Sequence, residues 1–284
     1  MEQLEEREGG PLRLALRSGI VLAGSIAKVD RASTHLDALQ QALSPFLHSE
    51  PKPYRFVAEV DENTSRYLMR LRIEREIPLE LSLIVGDIVQ NLRTALDHLV
   101  WELVRANGQK PTRENAFPIF DRPPPGEDEH PEQQRWNRNL AGLHPDAVQL
   151  IERCQPYHGP SLRTLAALRR LSNEDKHRVL VSGWTAIHDA GSFEIDVLRA
   201  RDVGSIEAGR IYAGRQLNHG DLVLEAPVQI TGPNPDVRPN GELPLDIGFG
   251  VKPVFLEDLI GMRDGVGTLV EAAGDLVNSS HPPA

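Results

Sequence analysis

Two residues whose types suit phosphodiester cleavage, Arg93 and His98, lie in one long apolar helical pattern, separated by four residues. An imidazole exchanges protons near neutral pH, and a guanidinium can bind two phosphate oxygens at once. Five positions along a helix turn a side chain by about 140°, so the two residues point to adjoining sides, and another segment or chain must complete a site. A structural interpretation stays open: Arg93 pairs with Asp97 or Asp87, and His98 lies at the edge of the core.

Three more polar residues of this pattern, Asn91, Asp97 and Glu102, are predicted to support the pair. Two of them form, with Asp87 and His98, a polar line whose steps return to one side of a helix. Such a line is normally only the solvent-facing side. This one combines an imidazole, a carboxamide and carboxylates, which together can transfer protons and bind ligands.

A second basic cluster ends the segment LSNEDKHR (171–178), where a predicted helix is followed by β-like sequence. Its cations, Lys176, His177 and Arg178, are predicted to contact the phosphate of a substrate. The alternative is a charged turn, in which these cations are neutralised by neighbouring acids or satisfy the carbonyls of a helix end. The two clusters form one site only if folding brings them together.

The helix that must position the first pair is predicted over residues 78–107. Pro78 suits a first helical turn, Asn107-Gly108 is a stop signal, and apolar residues recur at helical spacing between them. Two elements are predicted before it: a helix over residues 29–47, and a β-hairpin over residues 54–76, where apolar and polar residues alternate.

The second half of the chain changes composition. An acidic, proline-rich stretch predicts a surface loop over residues 121–134, and short apolar runs between Gly, Asn and Pro turns predict antiparallel strands. The sequence therefore predicts an α+β protein. Its expected parts are an N-terminal segment, partly disordered, over 1–28; a helical domain that includes the hairpin over 29–177; an antiparallel β portion over 178–251; and a C-terminal helix over 252–284 that packs back on the helical domain.

Composition narrows the class of protein. The formal charge of −10 argues against a chain-wide basic surface for nucleic acid, although a local one is compatible with it. The single cysteine, Cys154, excludes an intrachain disulfide framework and fits a reducing cytoplasm. The first ten residues are acidic, unlike a signal peptide, and Arg13 and Arg17 make residues 11–27 too charged to span a membrane. We therefore expect a cytoplasmic protein without a membrane segment.

Motifs for other chemistries do not occur in the sequence. The ten histidines are scattered, without an HExxH pattern or cysteine pairs, so no metal site is expected. Neither a P-loop nor a GxGxxG turn is found, so no cofactor is expected. The tryptophans Trp101, Trp136 and Trp184 are single aromatics that we expect in the core. The stretch NAFPIF (115–120) predicts a strand or a strap over the helices.

The spacing of Arg93 and His98, late in a long helix (RTALDH, 93–98), resembles the R-x4-6-H motif of the HEPN superfamily. This resemblance implies a helical bundle and a homodimer in which two chains form one cleft. It also implies a metal-independent ribonuclease of a bacterial toxin or phage-defence type, with His98 as general acid/base and Arg93 stabilising the phosphate. The wider pattern, NLRTALDH followed by FPI and LSNEDKHRVL, is similar to uncharacterised bacterial proteins.

Two functional hypotheses follow. The first is a HEPN-like homodimeric ribonuclease that cleaves RNA through attack by the 2′-hydroxyl. The second is a non-catalytic binding or assembly protein, which uses the helical bundle for dimerisation and the β portion as the surface for a protein partner. The acidic net charge and the lack of a longer catalytic signature favour the second.

Overall fold

The computed structural model describes residues 22–186, 197–207, 209–212, 215–239 and 245–280. These residues form six α-helices and ten strands. Every strand pair in these ranges is antiparallel, so the predicted α+β class is confirmed. The chain forms two units. One contains the residues up to Leu39, Leu83–Leu180 and the residues from Leu256 onward; the other contains Gln40–Ser82 and Val181–Phe255.

The helices account for most of the first unit. They are α1 (Ala23–Leu47), α2 (Leu79–Ala106), α3 (Pro131–Asn139), α4 (Pro145–Arg153), α5 (Arg163–Asp175) and α6 (Leu256–Ser280), with two 3-10 turns at Pro156–His158 and Pro160–Leu162. The long helix predicted over 78–107 is α2, and Ile88, Leu92 and Leu96 of its apolar stripe are completely buried. The last helix, α6, packs against α4 and α5. None of the helices in the described ranges is long and apolar enough to cross a membrane.

The start of α1 corrects one predicted boundary. A separate N-terminal segment was expected over 1–28 and a helix from residue 29, but α1 already begins at Ala23. Residues 1–21, on which the expectation of partial disorder mainly falls, lie outside the described residues. The earlier start has a physical cause, because a carboxylate from α2 accepts hydrogen bonds from the first amides of α1.

The predicted hairpin forms, but in the other unit. Strands β1 (Tyr54–Asp61) and β2 (Arg66–Ile73) pair along their whole length. Its assignment to the helical domain was wrong, because β2 also pairs with a strand from the β portion, β8 (Leu222–Ile230). A two-stranded hairpin is marginally stable alone, and a third strand with a shared apolar face stabilises it.

Among the described residues, the strands of the β portion belong to three separate sheets. Its other strands are β3 (Ser182–Ala186), β4 (Val197–Arg201), β5 (Val203–Ile206), β6 (Arg210–Ile211), β7 (Gln216–Leu217), β9 (Asp236–Pro239) and β10 (Leu245–Phe249). The largest sheet has the order β1-β2-β8-β5, with β6 also paired to β8. A second has the order β10-β3-β7, and β4 pairs with β9. Tyr67, Met69, Leu224 and Ala226 form the centre of the core of the largest sheet.

Candidate functional site

Arg93 lies on the side of α2 that faces an extended segment, residues 115–121, which we call the strap. Its Nε and Nη2 donate to the two carboxylate oxygens of Asp97 over 3.2 and 2.5 Å, and Nη2 also donates to the Phe117 carbonyl over 2.6 Å. Asp97 in turn accepts a hydrogen bond from the Phe117 N–H over 2.9 Å. One i,i+4 ion pair therefore binds both backbone groups of Phe117. Only 16% of the Arg93 side chain is exposed, so the guanidinium is held in a structural contact.

The rest of the strap is bonded in the same way by two other side chains. Gln155, which is completely buried, donates to the Pro118 carbonyl and accepts from the Phe120 N–H, each over 3.0 Å. Arg169 donates to the Ile119 carbonyl over 3.1 Å. Such bonds are needed because an unpaired buried peptide group costs roughly 1–3 kcal/mol. The strap is an extended segment outside any sheet, and side chains replace a strand partner.

Glu102, predicted to support the pair, instead caps the start of α1. Its Oε1 accepts a hydrogen bond from the Gly24 N–H over 2.8 Å, and its Oε2 accepts from the Ser25 hydroxyl and N–H over 2.7 and 3.3 Å. The first amides of a helix have no partner within it and carry partial positive charge, so a carboxylate stabilises them. Glycine at position 24 permits this close approach, since a Cβ there would lie 2.7 Å from Oε1.

The remaining polar residues on this side of α2 also lie along α1. Lys28 of α1 donates to the Asn91 side chain over 3.3 Å, and Asp87 lies 4.0 Å from the His35 ring. His98 is exposed near the start of α1 and, among the residues that the structure describes, makes no hydrogen bond or ion pair. The polar line that suggested chemistry is therefore mainly a polar contact between two helices.

Arg93 and His98 thus point to different borders of α2, the first to the strap and the second to α1. Between them lies a strip that we call the outer face of α2. Its exposed residues are Leu83, Asp87, His98 and Trp101, and Thr94 between them is half-buried. Leu83 and Trp101 are 51% and 44% exposed, so each end of the strip carries a large apolar side chain in contact with solvent. Trp136 and Trp184 are buried as expected, whereas the expectation of a core position for Trp101 was wrong.

The second basic cluster lies at the end of α5. His177 and Arg178 line a depression of about 490 Å³, whereas Lys176 is exposed and is not among the described residues that line it. The helix end itself contacts α2: Gln90 donates to Asp175 over 2.9 Å. Folding therefore brings the segment 171–178 to the same helix as Arg93. The basic side chains, however, line a depression formed by α5 and its continuation.

Other chemistry has little support in the described ranges. No three His, Cys, Asp or Glu side chains gather there closely enough to hold a metal ion. Burial raises the pKa of the Cys154 thiol, which keeps the sulfur protonated and weakly nucleophilic at neutral pH. The chain matches no protein-family model, no curated protein and no solved structure.

Proposed function

We propose that this protein is a non-catalytic binding or assembly protein whose helical unit forms a homodimer through the outer face of α2. The observation that carries this proposal is the exposure of Leu83 and Trp101 on an otherwise polar strip. Exposed large apolar side chains rimmed by polar ones are typical of interaction surfaces, and tryptophan is enriched among the residues that dominate binding energy. A cytoplasmic location is part of the proposal.

The order of residues along the outer face favours a second copy of the same chain. In a two-fold interface each residue contacts its counterpart reciprocally. If two α2 helices pack antiparallel around a centre near residue 92, Leu83 meets the partner's Trp101, and Asp87 meets the partner's His98. Because the interface is two-fold, the apolar pair and the acid–imidazole pair each form twice across it.

The length of this face predicts the strength of the dimer. From Leu83 to Trp101 a helix advances about 27 Å. A stable interface buries about 800 Å² on each partner, which one helix face of that length does not supply alone. We therefore expect a dimer that depends on protein concentration and also uses the exposed flank of α1.

Arg93 supports a non-catalytic role. Its guanidinium already bonds Asp97 and the Phe117 carbonyl, so binding a substrate phosphate would require it to leave the strap. The antiparallel pairing also separates the two His98 side chains by about 16 Å along the helix axis. The two chains would then present two separate imidazoles.

Sedimentation velocity at increasing protein concentration tests the dimer. We expect Leu83→Ala and Trp101→Ala to shift the equilibrium to the monomer. Val179→Ala is the matched control, because Val179 is 45% exposed but lies outside the outer face. Asp87→Lys should also weaken the dimer, and adding His98→Asp should restore it. A wild type that remains monomeric at its highest soluble concentration would refute the proposal.

A HEPN-type ribonuclease is the second candidate, and one observation favours it. His98 is exposed and is not engaged by another described side chain, as a general acid or base must be. The test is incubation of the protein with RNA in EDTA. Cleavage by wild type and not by His98→Ala would support the enzyme, and no cleavage by either would exclude it.

A further inference from the structure

A basic depression beside the end of α5 has the features of a ligand site, and none of the described residues that line it belongs to α2. Its volume is about 490 Å³, within the range of small-molecule sites. The described residues that line it are Arg169, Arg170, Asn173, Glu174, His177 and Arg178. We propose that this depression binds a phosphomonoester dianion, carried either by a free nucleotide or by the 5′ end of an RNA. The inference does not depend on the proposed dimer.

Local charge is the first argument. Three arginines and one histidine line the depression, against the carboxylate of Glu174, in a chain whose formal charge is −10. One of the arginines, Arg169, is already paired with Asp121, so His177 and Arg178 carry the charge that a ligand would meet. A concentration of positive charge on an acidic protein creates a local potential that attracts anions. A guanidinium presents paired N–H groups that match two phosphate oxygens, and two guanidinium groups favour a doubly charged phosphate.

One side chain in the wall of the depression, Arg169, is held in place before any ligand binds. Arg169 donates to the Ile119 carbonyl over 3.1 Å and forms an ion pair with Asp121, so the strap positions this side chain. A site whose groups are already ordered loses less entropy when a ligand binds.

The rim consists of two side chains that follow the helix. The N–H groups of His177 and Arg178 both donate to the Glu174 carbonyl over 3.1 Å, which continues the turn beyond α5 and brings both side chains to the depression. Within the part of the chain that the structure describes, neither side chain has a hydrogen-bond or ion-pair partner. Both are therefore available to a ligand.

The competing explanation is that these cations only neutralise the negative end of α5. In that case position is unimportant, and any cation near the helix end would serve equally. Lys176 makes the distinction possible, because it lies beside His177 and Arg178 but does not line the depression. Replacing either Lys176 or Arg178 by a neutral residue removes one positive charge from the protein. Only Arg178 lines the depression, so only its replacement should weaken binding of a ligand there.

Calorimetric titration of the full chain tests the proposal with inorganic phosphate, adenosine 5′-monophosphate and adenosine as probes. We expect both phosphates to bind and adenosine not to bind. Arg178→Gln should weaken binding at least about tenfold, and Lys176→Gln should change it by less than about twofold. Thermal unfolding should show that both variants are folded, since both side chains are exposed.

A second pair of probes distinguishes the sources of the phosphate. A short RNA with a 5′-phosphate that binds more tightly than its 5′-hydroxyl counterpart would identify an RNA end as ligand, and binding of the nucleotide alone would identify a free nucleotide. Three results would overturn the proposal: no binding of either phosphate, equal binding of adenosine, or equal losses in Arg178→Gln and Lys176→Gln.

Discussion

Replacing Asp97 by alanine should release the strap from α2. The carboxylate accepts the N–H of Phe117, which is buried, and pairs with Arg93, of which 16% is exposed. The orphaned N–H costs roughly 1–3 kcal/mol. The ion-pair contribution is smaller, about 1 kcal/mol, because 35% of Asp97 is exposed and solvent screens the pair. We therefore expect Asp97→Ala to lower the free energy of unfolding by about 2–4 kcal/mol.

Hydrogen exchange followed by mass spectrometry measures this loss of stability at the strap itself. The two units need not unfold in one transition, so a local readout is preferable to a single melting temperature. A loss of about 2–4 kcal/mol should speed exchange of the Phe117 amide roughly 30- to 900-fold. Asp97→Asn keeps an oxygen that can accept this N–H, and it should lose only about 1 kcal/mol.

Two comparisons make this reasoning refutable. Asp87→Ala removes an acid from the same helix that is 64% exposed and makes no bond to the strap. Measured at a protein concentration at which the chain is monomeric, it should change stability by less than about 0.5 kcal/mol. In a double-mutant cycle, Arg93→Met and Asp97→Ala should together cost less than the sum of the single changes. If Asp97→Ala costs no more than Asp87→Ala, the ion pair does not hold the strap.

Three further outcomes are expected. Glu102→Ala should destabilise the protein by about 1–2 kcal/mol and speed amide exchange at the start of α1, because it removes the cap of that helix. Gly86→Ala should be destabilising although alanine favours a helix, because the new Cβ would lie 2.6 Å from the Asp175 carboxylate; adding Asp175→Ala should recover stability, measured by urea unfolding. Alkylation of Cys154 by iodoacetamide should be slower in the folded than in the unfolded protein, and should accelerate only as the pH rises above the ordinary thiol range, because burial raises the pKa of this thiol.

The local elements were predictable because their signals lie within a few residues. The apolar period and the stop signal placed α2 at 78–107, against Leu79–Ala106 in the structure. Alternation placed the hairpin at 54–76, against β1 and β2. The third strand of that sheet was not predictable, since β8 begins about 150 residues later and its pairing depends on how the whole chain folds.

The side-chain contacts of the candidate site were also predictable only where both partners lie close together in the sequence. An i,i+4 pair of Arg93 with Asp97 was one of the interpretations open from the sequence, and the structure contains it. The pair also bonds the backbone of Phe117, and no residue type in the sequence indicates a contact to a backbone group. Glu102 accepts from residues 77 and 78 positions earlier in the chain, so no local pattern distinguishes a cap of another helix from a catalytic carboxylate.

The bonding of the strap has a consequence for the loop that follows it, residues 122–130. The Asn115 amide donates to the carbonyls of Asn139, the last residue of α3, and of Ala141 just beyond it. The Phe120 ring packs edge-on against Trp136 within α3. These contacts therefore hold the two ends of the loop together independently of the peptide chain of the loop itself. A protease that cuts inside the loop should leave a nicked protein whose fragments stay associated.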